Sequence, residues 1–211
     1  MAIEIRKMTL GMVSTNAYLV GDTETNEAIL IDPVDKAEII KQAADDAGWT
    51  IKLILATHAH FDHVLASKAL KEMTDAPFWI HEECVSSLET LPMQGKMFGL
   101  GEFPGAAIPD RLLKSEPETI ELGAIKLETL YTPGHATGHL SFYMRDQKIV
   151  FSGDSLFFSS IGRTDLPGGN LEVLLKSIRE QLLTLPDDVT ALPGHMQETT
   201  IGFERENNPF L

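Results

Sequence analysis

Cysteine is almost absent from this chain: Cys84 is the single one among 211 residues. That excludes an internal disulfide framework and a thiolate-rich metal site. Basic residues are also scarce, with 17 Lys and Arg against 31 Asp and Glu, for a net charge of −14. A protein that grips nucleic acid needs a basic face, so that class is excluded, and an anionic small substrate would need a local cation. No uninterrupted apolar run approaches the length of a membrane span, and the start, Ala2-Ile3-Glu4-Ile5-Arg6-Lys7, has no apolar leader core. A cytoplasmic protein acting on a small molecule, without membrane or nucleic-acid partners, is the expectation. Internal short-period repeats are missing too.

What is present is histidine in one place. Thr57-His58-Ala59-His60-Phe61-Asp62-His63 reads H-x-H-x-D-H and follows the apolar, strand-like run Ile51 to Ala56. Neutral imidazole and carboxylate are the ligands that zinc, iron and manganese accept. Residues two apart at a strand end point the same way, so His58 and His60 can share one ion while Asp62 and His63 turn towards a second.

Three more ligand candidates sit at strand ends, each in a Gly or Pro turn: His135 in Thr132-Pro133-Gly134-His135, Asp154 in Ser152-Gly153-Asp154, and His195 in Pro193-Gly194-His195. Such turns fix a side chain on a short, stiff lever. Five histidines and two aspartates suffice for two divalent ions with open positions. Zinc is the first choice, with iron or manganese also compatible. Asp154 is best suited to bridging, because the two oxygens of one carboxylate can reach two ions.

Around these motifs the sequence predicts strands over 3–8, 15–20, 28–31, 51–56, 77–80, 119–122, 125–131, 140–144, 148–151 and 189–192. Helices are predicted over 37–47, 64–73, 171–183 and 198–206. Asp146-Gln147 is expected to be a two-residue turn. The 91–117 stretch carries four glycines and four prolines and reads as a functional loop or lid. The order of elements fits a single domain of two mixed sheets with helices outside.

The motif set from Asp32 to His195 resembles the metallo-β-lactamase-fold hydrolase superfamily, and within it the short branch of glyoxalase II (hydroxyacylglutathione hydrolase). The resemblance implies an αββα sandwich. It implies His58, His60 and His135 on one ion, Asp62, His63 and His195 on the other, and Asp154 between them. Asp32, in Asp32-Pro33, matches the family's buried aspartate that supports the metal loop. His139 is expected just behind a ligand, His81 at a surface or packing position, and Cys84 without a role. Gly162-Arg163 matches a family motif whose cation touches the glutathione backbone, so Arg163 is the expected substrate contact. The family's tyrosines near these points are Asp165 and Gln197 here.

The chemistry implied is attack of a metal-activated hydroxide on a carbonyl, with Asp62 holding the nucleophile. A thiolate leaves readily, since its conjugate acid titrates at about 8.5. Thioester cleavage, as of S-lactoylglutathione, is therefore expected. Lactone hydrolysis is one alternative. Gly162-Arg163-Thr164-Asp165 also resembles persulfide dioxygenases of the same fold, which hold one iron through residues equivalent to His58, His135 and Asp154. A di-iron electron-transfer domain is disfavoured by His60, where such domains carry Glu.

Overall fold

Strand β1, Ile3–Leu10, alternates partly buried and exposed positions and pairs antiparallel with β2, Thr15–Asp22, leaving the tight turn 11–14 between them. β2 is buried along its whole length and pairs with β3, Glu27–Ile31. The chain then crosses through α1, Ala37–Asp46, whose Ala37, Ile40 and Ala44 are buried, and returns as β4, Thr50–Leu55, parallel to β3. A parallel return requires such a crossover. Two short helices follow, α2, Phe61–Val64, and α3, Ser67–Thr74. Then come β5, Phe78–His81, helices α4, Val85–Glu89, and α5, Leu91–Met97, and β6, Arg111–Leu113. Leu30, Ile40, Ile54, Leu70, Phe78 and Ile80 are fully buried in the apolar core of this part.

The second half begins with β7, Thr119–Leu122, β8, Ile125–Tyr131, β9, Leu140–Met144, and β10, Ile149–Gly153. A hairpin of β11, Leu156–Phe157, and β12, Ser160–Ile161, leads to α6, Leu171–Ser177. α6 continues as a π-helical turn over Ile178–Leu182. Strands β13, Thr190–Pro193, and β14, Thr199–Thr200, and helix α7, Ile201–Asn207, complete the chain. Val150, Leu174, Ile178, Leu182, Ala191 and Ile201 are fully buried there.

This computed structural model describes residues 2–97 and 99–211. Among them the strands form two six-stranded mixed sheets, β1-β2-β3-β4-β5-β6 and β14-β13-β10-β9-β8-β7, plus the β11–β12 hairpin. The chain divides into two units. The first runs to Leu113 and takes in Glu121–Ile125; the second comprises Lys114–Ile120 and Lys126–Leu211.

Four differences between local expectation and structure stand out, one being that the helix expected over 198–206 starts only at Ile201, because Thr199–Thr200 pair with β13 as β14. The helix expected over 64–73 is two helices that begin earlier, at Phe61. Between them the Ala66 amide donates to the carbonyl of Pro33 at 3.0 Å instead of following the α2 ladder. Asp146-Gln147 lies in a 3-10 turn, Arg145–Gln147, closed by Lys148 at a left-handed φ of 54°. The 91–117 stretch holds helix α5 and strand β6; Phe98 within it is outside the described residues.

Candidate metal centre

β3 and β4 run parallel with Ile31 opposite Leu55, so Asp32 and Thr57 emerge side by side from their carboxyl ends. The Asp32 amide donates to the Leu55 carbonyl at 2.8 Å, which fixes the two chain ends together. Asp32 is buried, at a left-handed φ of 58°. Its Oδ1 accepts the Thr57 amide at 2.7 Å, and its Oδ2 lies 3.0 Å from Thr57 Oγ1 and 2.9 Å from His63 Nδ1. Asp32 thus engages both ends of the histidine motif, at Thr57 and at His63.

Donor chemistry sets the protons. An ionised carboxylate only accepts, so His63 carries its proton on Nδ1 and keeps the lone pair on Nε2. That Nε2 faces Asp62 Oδ2 at 3.5 Å. His58 Nε2 and His60 Nδ1 stand 3.0 Å apart, and the ligand atoms of His58 and His63 lie within 4.8 Å of one another. His60 caps α2 with extended backbone, while Asp62 and His63 occupy its first turn. The first unit thus brings together His58, His60, Asp62, His63 and Asp32. Two residues not anticipated from sequence join them, Thr57 and Thr15, whose hydroxyl donates to Asp62 Oδ2 at 2.8 Å. Thr57 was legible as the hydroxyl preceding the first histidine. Thr15 carries no local signal.

In the second unit, β8 delivers His135 through Thr132-Pro133-Gly134. Gly134 has φ +123°, and a Cβ there would lie 2.2 Å from the Leu174 amide nitrogen, so no other residue fits. His135 Nδ1 donates to the carbonyl of Arg163 at 2.8 Å, leaving Nε2 free of its proton. Parallel strands β10 and β13 deliver Asp154 and His195, and the Gly194 amide donates to the Gly153 carbonyl at 2.8 Å. Asp154 Oδ2 lies 3.5 Å from His135 Nε2 and 3.4 Å from His195 Nε2. His139, fully buried, accepts the Asp154 amide on Nε2 at 3.0 Å, so its Nδ1 proton goes to Thr132 Oγ1 at 2.9 Å.

These spacings test whether metal fits. Two ligands at 2.0–2.1 Å from a tetrahedral ion stand about 3.3 Å apart. The pairs within each unit fall at 3.0, 3.5, 3.5 and 3.4 Å. Three of the four are too long for hydrogen bonds and suit atoms that share an ion. Every donor is an imidazole nitrogen or a carboxylate oxygen, the set for zinc, iron or manganese.

Arg163 contributes to the site through its backbone. Its guanidinium makes two bonds to the Asp165 carboxylate, at 2.7 and 2.6 Å, on an exposed loop. The Arg163 bond holds the Asp165 carboxyl down at about 2. His81, expected at a surface or packing position, is fully buried, and its Nδ1 accepts the Glu83 amide at 3.2 Å. Cys84 is buried, and burial pushes its thiol up to about 12, far from a reactive thiolate.

The family model of the Metallo-beta-lactamase superfamily matches residues 10–195. The chain belongs to that superfamily. It has the metallo-β-lactamase fold and the family's His/Asp metal-binding groups. It is 42% identical to the hydroxyacylglutathione hydrolase GloC of Haemophilus influenzae over 212 residues, covering 100% of this chain and 98% of that one. Among solved structures, BLEG-1 B3 metallo-beta-lactamase superposes with a TM-score of 0.91 at 35% identity, covering 99% of both chains. TTHA1623 in a di-iron-bound form superposes at 0.88 with 38% identity, covering 98% of this chain and all of the other. Among the described residues no helix is long and apolar enough to cross a membrane.

Proposed function

We propose that this member of a metallo-hydrolase superfamily is a cytoplasmic binuclear thioesterase of the glyoxalase II type, cleaving a small-molecule thioester such as S-lactoylglutathione. His58, His60 and His135 would hold one divalent ion, Asp62, His63 and His195 the other, and Asp154 both. The observation that carries the reading is the single oxygen Asp154 Oδ2 placed 3.5 and 3.4 Å from the Nε2 atoms of His135 and His195. Its donor set suits zinc first, with iron next, since the similar TTHA1623 is di-iron-bound. Whole-length identity to GloC supports the substrate class.

Two such ions, when bound, supply Lewis acidity and a water that ionises near neutral pH. The protein's own groups do the rest. Asp62, its Oδ2 tied to Thr15, holds its other oxygen in a fixed direction to accept the proton of the attacking water. Asp32 and the Arg163 carbonyl keep His63 and His135 in the tautomers that present Nε2. A thiolate leaving group needs no proton donor, which favours a thioester over an amide. We further propose that the 91–117 stretch covers the site as a lid. In support, its Phe103 stacks on Phe61 of α2 with centroids 5.0 Å apart, beside Asp62.

The test is an assay of protein expressed without metal supplementation against S-lactoylglutathione, a lactone, a β-lactam and glutathione persulfide, with metals quantified. S-Lactoylglutathione should be turned over fastest, and Asp62→Ala should abolish turnover more completely than it removes metal. One iron per chain with oxygen uptake on the persulfide would overturn the hydrolase reading in favour of a dioxygenase.

A further inference from the structure

The Asp32 carboxylate reaches farther than the histidine it touches. Thr57 Oγ1 stands 3.0 Å from Asp32 Oδ2 and also 3.0 Å from His58 Nδ1. All three residues are buried, at 1% exposure or less. A hydroxyl has one proton to give and lone pairs to accept with. If Thr57 gave its proton to His58, two lone-pair oxygens would face each other at 3.0 Å in a dry interior, at the cost of a buried unmatched polar pair. The proton therefore lies between Thr57 and Asp32. Thr57 Oγ1 is then the acceptor for an Nδ1–H on His58, and the lone pair of His58 is fixed on Nε2, the nitrogen that faces His60 at 3.0 Å.

We propose that Thr57 is a positioning residue that relays the orientation set by Asp32 to His58, so that one carboxylate fixes one histidine on each of two ions. It acts on His63 directly and on His58 through the threonine hydroxyl. The inference rests on the two-ion reading above. It separates two contributions of Thr57: its backbone amide anchors Asp32 Oδ1 at 2.7 Å whatever the side chain, while the hydroxyl links Asp32 Oδ2 to His58 Nδ1.

That separation makes a test. Thr57→Val replaces the hydroxyl by a methyl group of similar size and keeps the backbone bond. In competition of the zinc-loaded protein against a chelator, wild type should release two zinc ions in resolvable steps. Thr57→Val should bind one of them roughly 10- to 100-fold more weakly and leave the other unchanged. Thr57→Ser should restore the wild-type profile, because it keeps the hydroxyl. Asp32→Asn should weaken both ions. A substitution that merely loosened the fold would shift both steps together and lower the metal-free melting temperature. A Thr57→Val protein that releases both ions as wild type does, or weakens both equally, overturns the relay, as does a Thr57→Ser protein that behaves like Val. A wild-type chain that holds fewer than two zinc ions overturns the two-ion reading, and the relay with it.

Discussion

Thr15 donates its hydroxyl to Asp62 Oδ2 at 2.8 Å across 47 residues of sequence. The threonine opens β2 opposite Leu10 of β1, so the edge of the first hairpin sets the direction of a carboxylate at the head of α2. A hydrogen bond to a charged group contributes about 1.5–3 kcal/mol. If it holds Asp62 in its working direction, Thr15→Val should lower kcat about tenfold or more with zinc content retained, and Thr15→Ser should recover most of it. Steady-state kinetics with metal analysis on the same samples decides this. Full activity in the valine variant would show that the helix alone aims Asp62.

Gly162 is a tight point of the second unit. A Cβ there would stand 1.9 Å from the Asp154 carbonyl oxygen and 3.0 Å from His135 Nδ1, a clash with backbone that no side-chain motion relieves. Gly162→Ala must therefore push apart two ligand-bearing loops, at about 1–3 kcal/mol for overpacking. The variant should melt several degrees lower and hold less zinc. Gly105→Ala, which meets nothing within 4 Å, is the control and should match wild type. Undiminished zinc in Gly162→Ala would mean that the loops have slack.

Where residues act through neighbours in sequence, the sequence could be read. His58, His60, Asp62 and His63 fall within six positions, and His135, Asp154 and His195 each follow a strand in a Gly or Pro turn, so strand direction and turn chemistry already aim them. Five strands of each sheet follow from the same alternation of apolar runs and turns, whereas the short strands β6 and β14 carry too few residues to show it. What stayed hidden depends on contacts distant along the chain. The break at Leu65-Ala66 comes from a bond to Pro33, and the partner of Asp62 is Thr15. Helix α5 was masked by Pro92, yet a proline in the first turn costs a helix no hydrogen bond.

The pairing of Arg163 with Asp165 gives a prediction that separates two roles of one residue. Arg163→Ala keeps the carbonyl that holds His135 and loses only the guanidinium. If that cation contacts substrate, KM for S-lactoylglutathione should rise about tenfold while kcat stays within about threefold. A fall in kcat with KM unchanged would instead mean that the pair holds the loop against His135. The Asp165 carboxyl sits at about 2, depressed from 3.8 by the bond to Arg163. The contribution of the pair is thus present above the unfolded value and is lost as pH falls through about 2. The effect of Arg163→Ala should therefore be the same at every pH between about 5 and 8.

Glu204 is a fully buried carboxylate outside the metal-binding set. It lies on α7, and its oxygens accept the Ser159 amide at 3.0 Å, the Thr199 hydroxyl at 2.5 Å and the Asn208 amide at 2.7 Å. Asn208 in turn donates to the Ser160 carbonyl at 3.0 Å. The terminal helix therefore pins the turn of the β11–β12 hairpin, which carries Phe157 to within 6.0 Å of the His195 ring. Glu204→Ala would leave three donors without their acceptor, two of them on the buried Thr199 and Asn208, at about 3–5 kcal/mol. At this size each kcal/mol shifts the melting temperature by about 2–4 °C, so a drop on the order of 10 °C is expected. Glu204→Gln keeps the volume but turns an N–H2 group towards donors, and it should recover only part of the loss. Urea unfolding of both variants measures this, and a glutamine variant as stable as wild type would show that the charge of Glu204 contributes nothing beyond its shape.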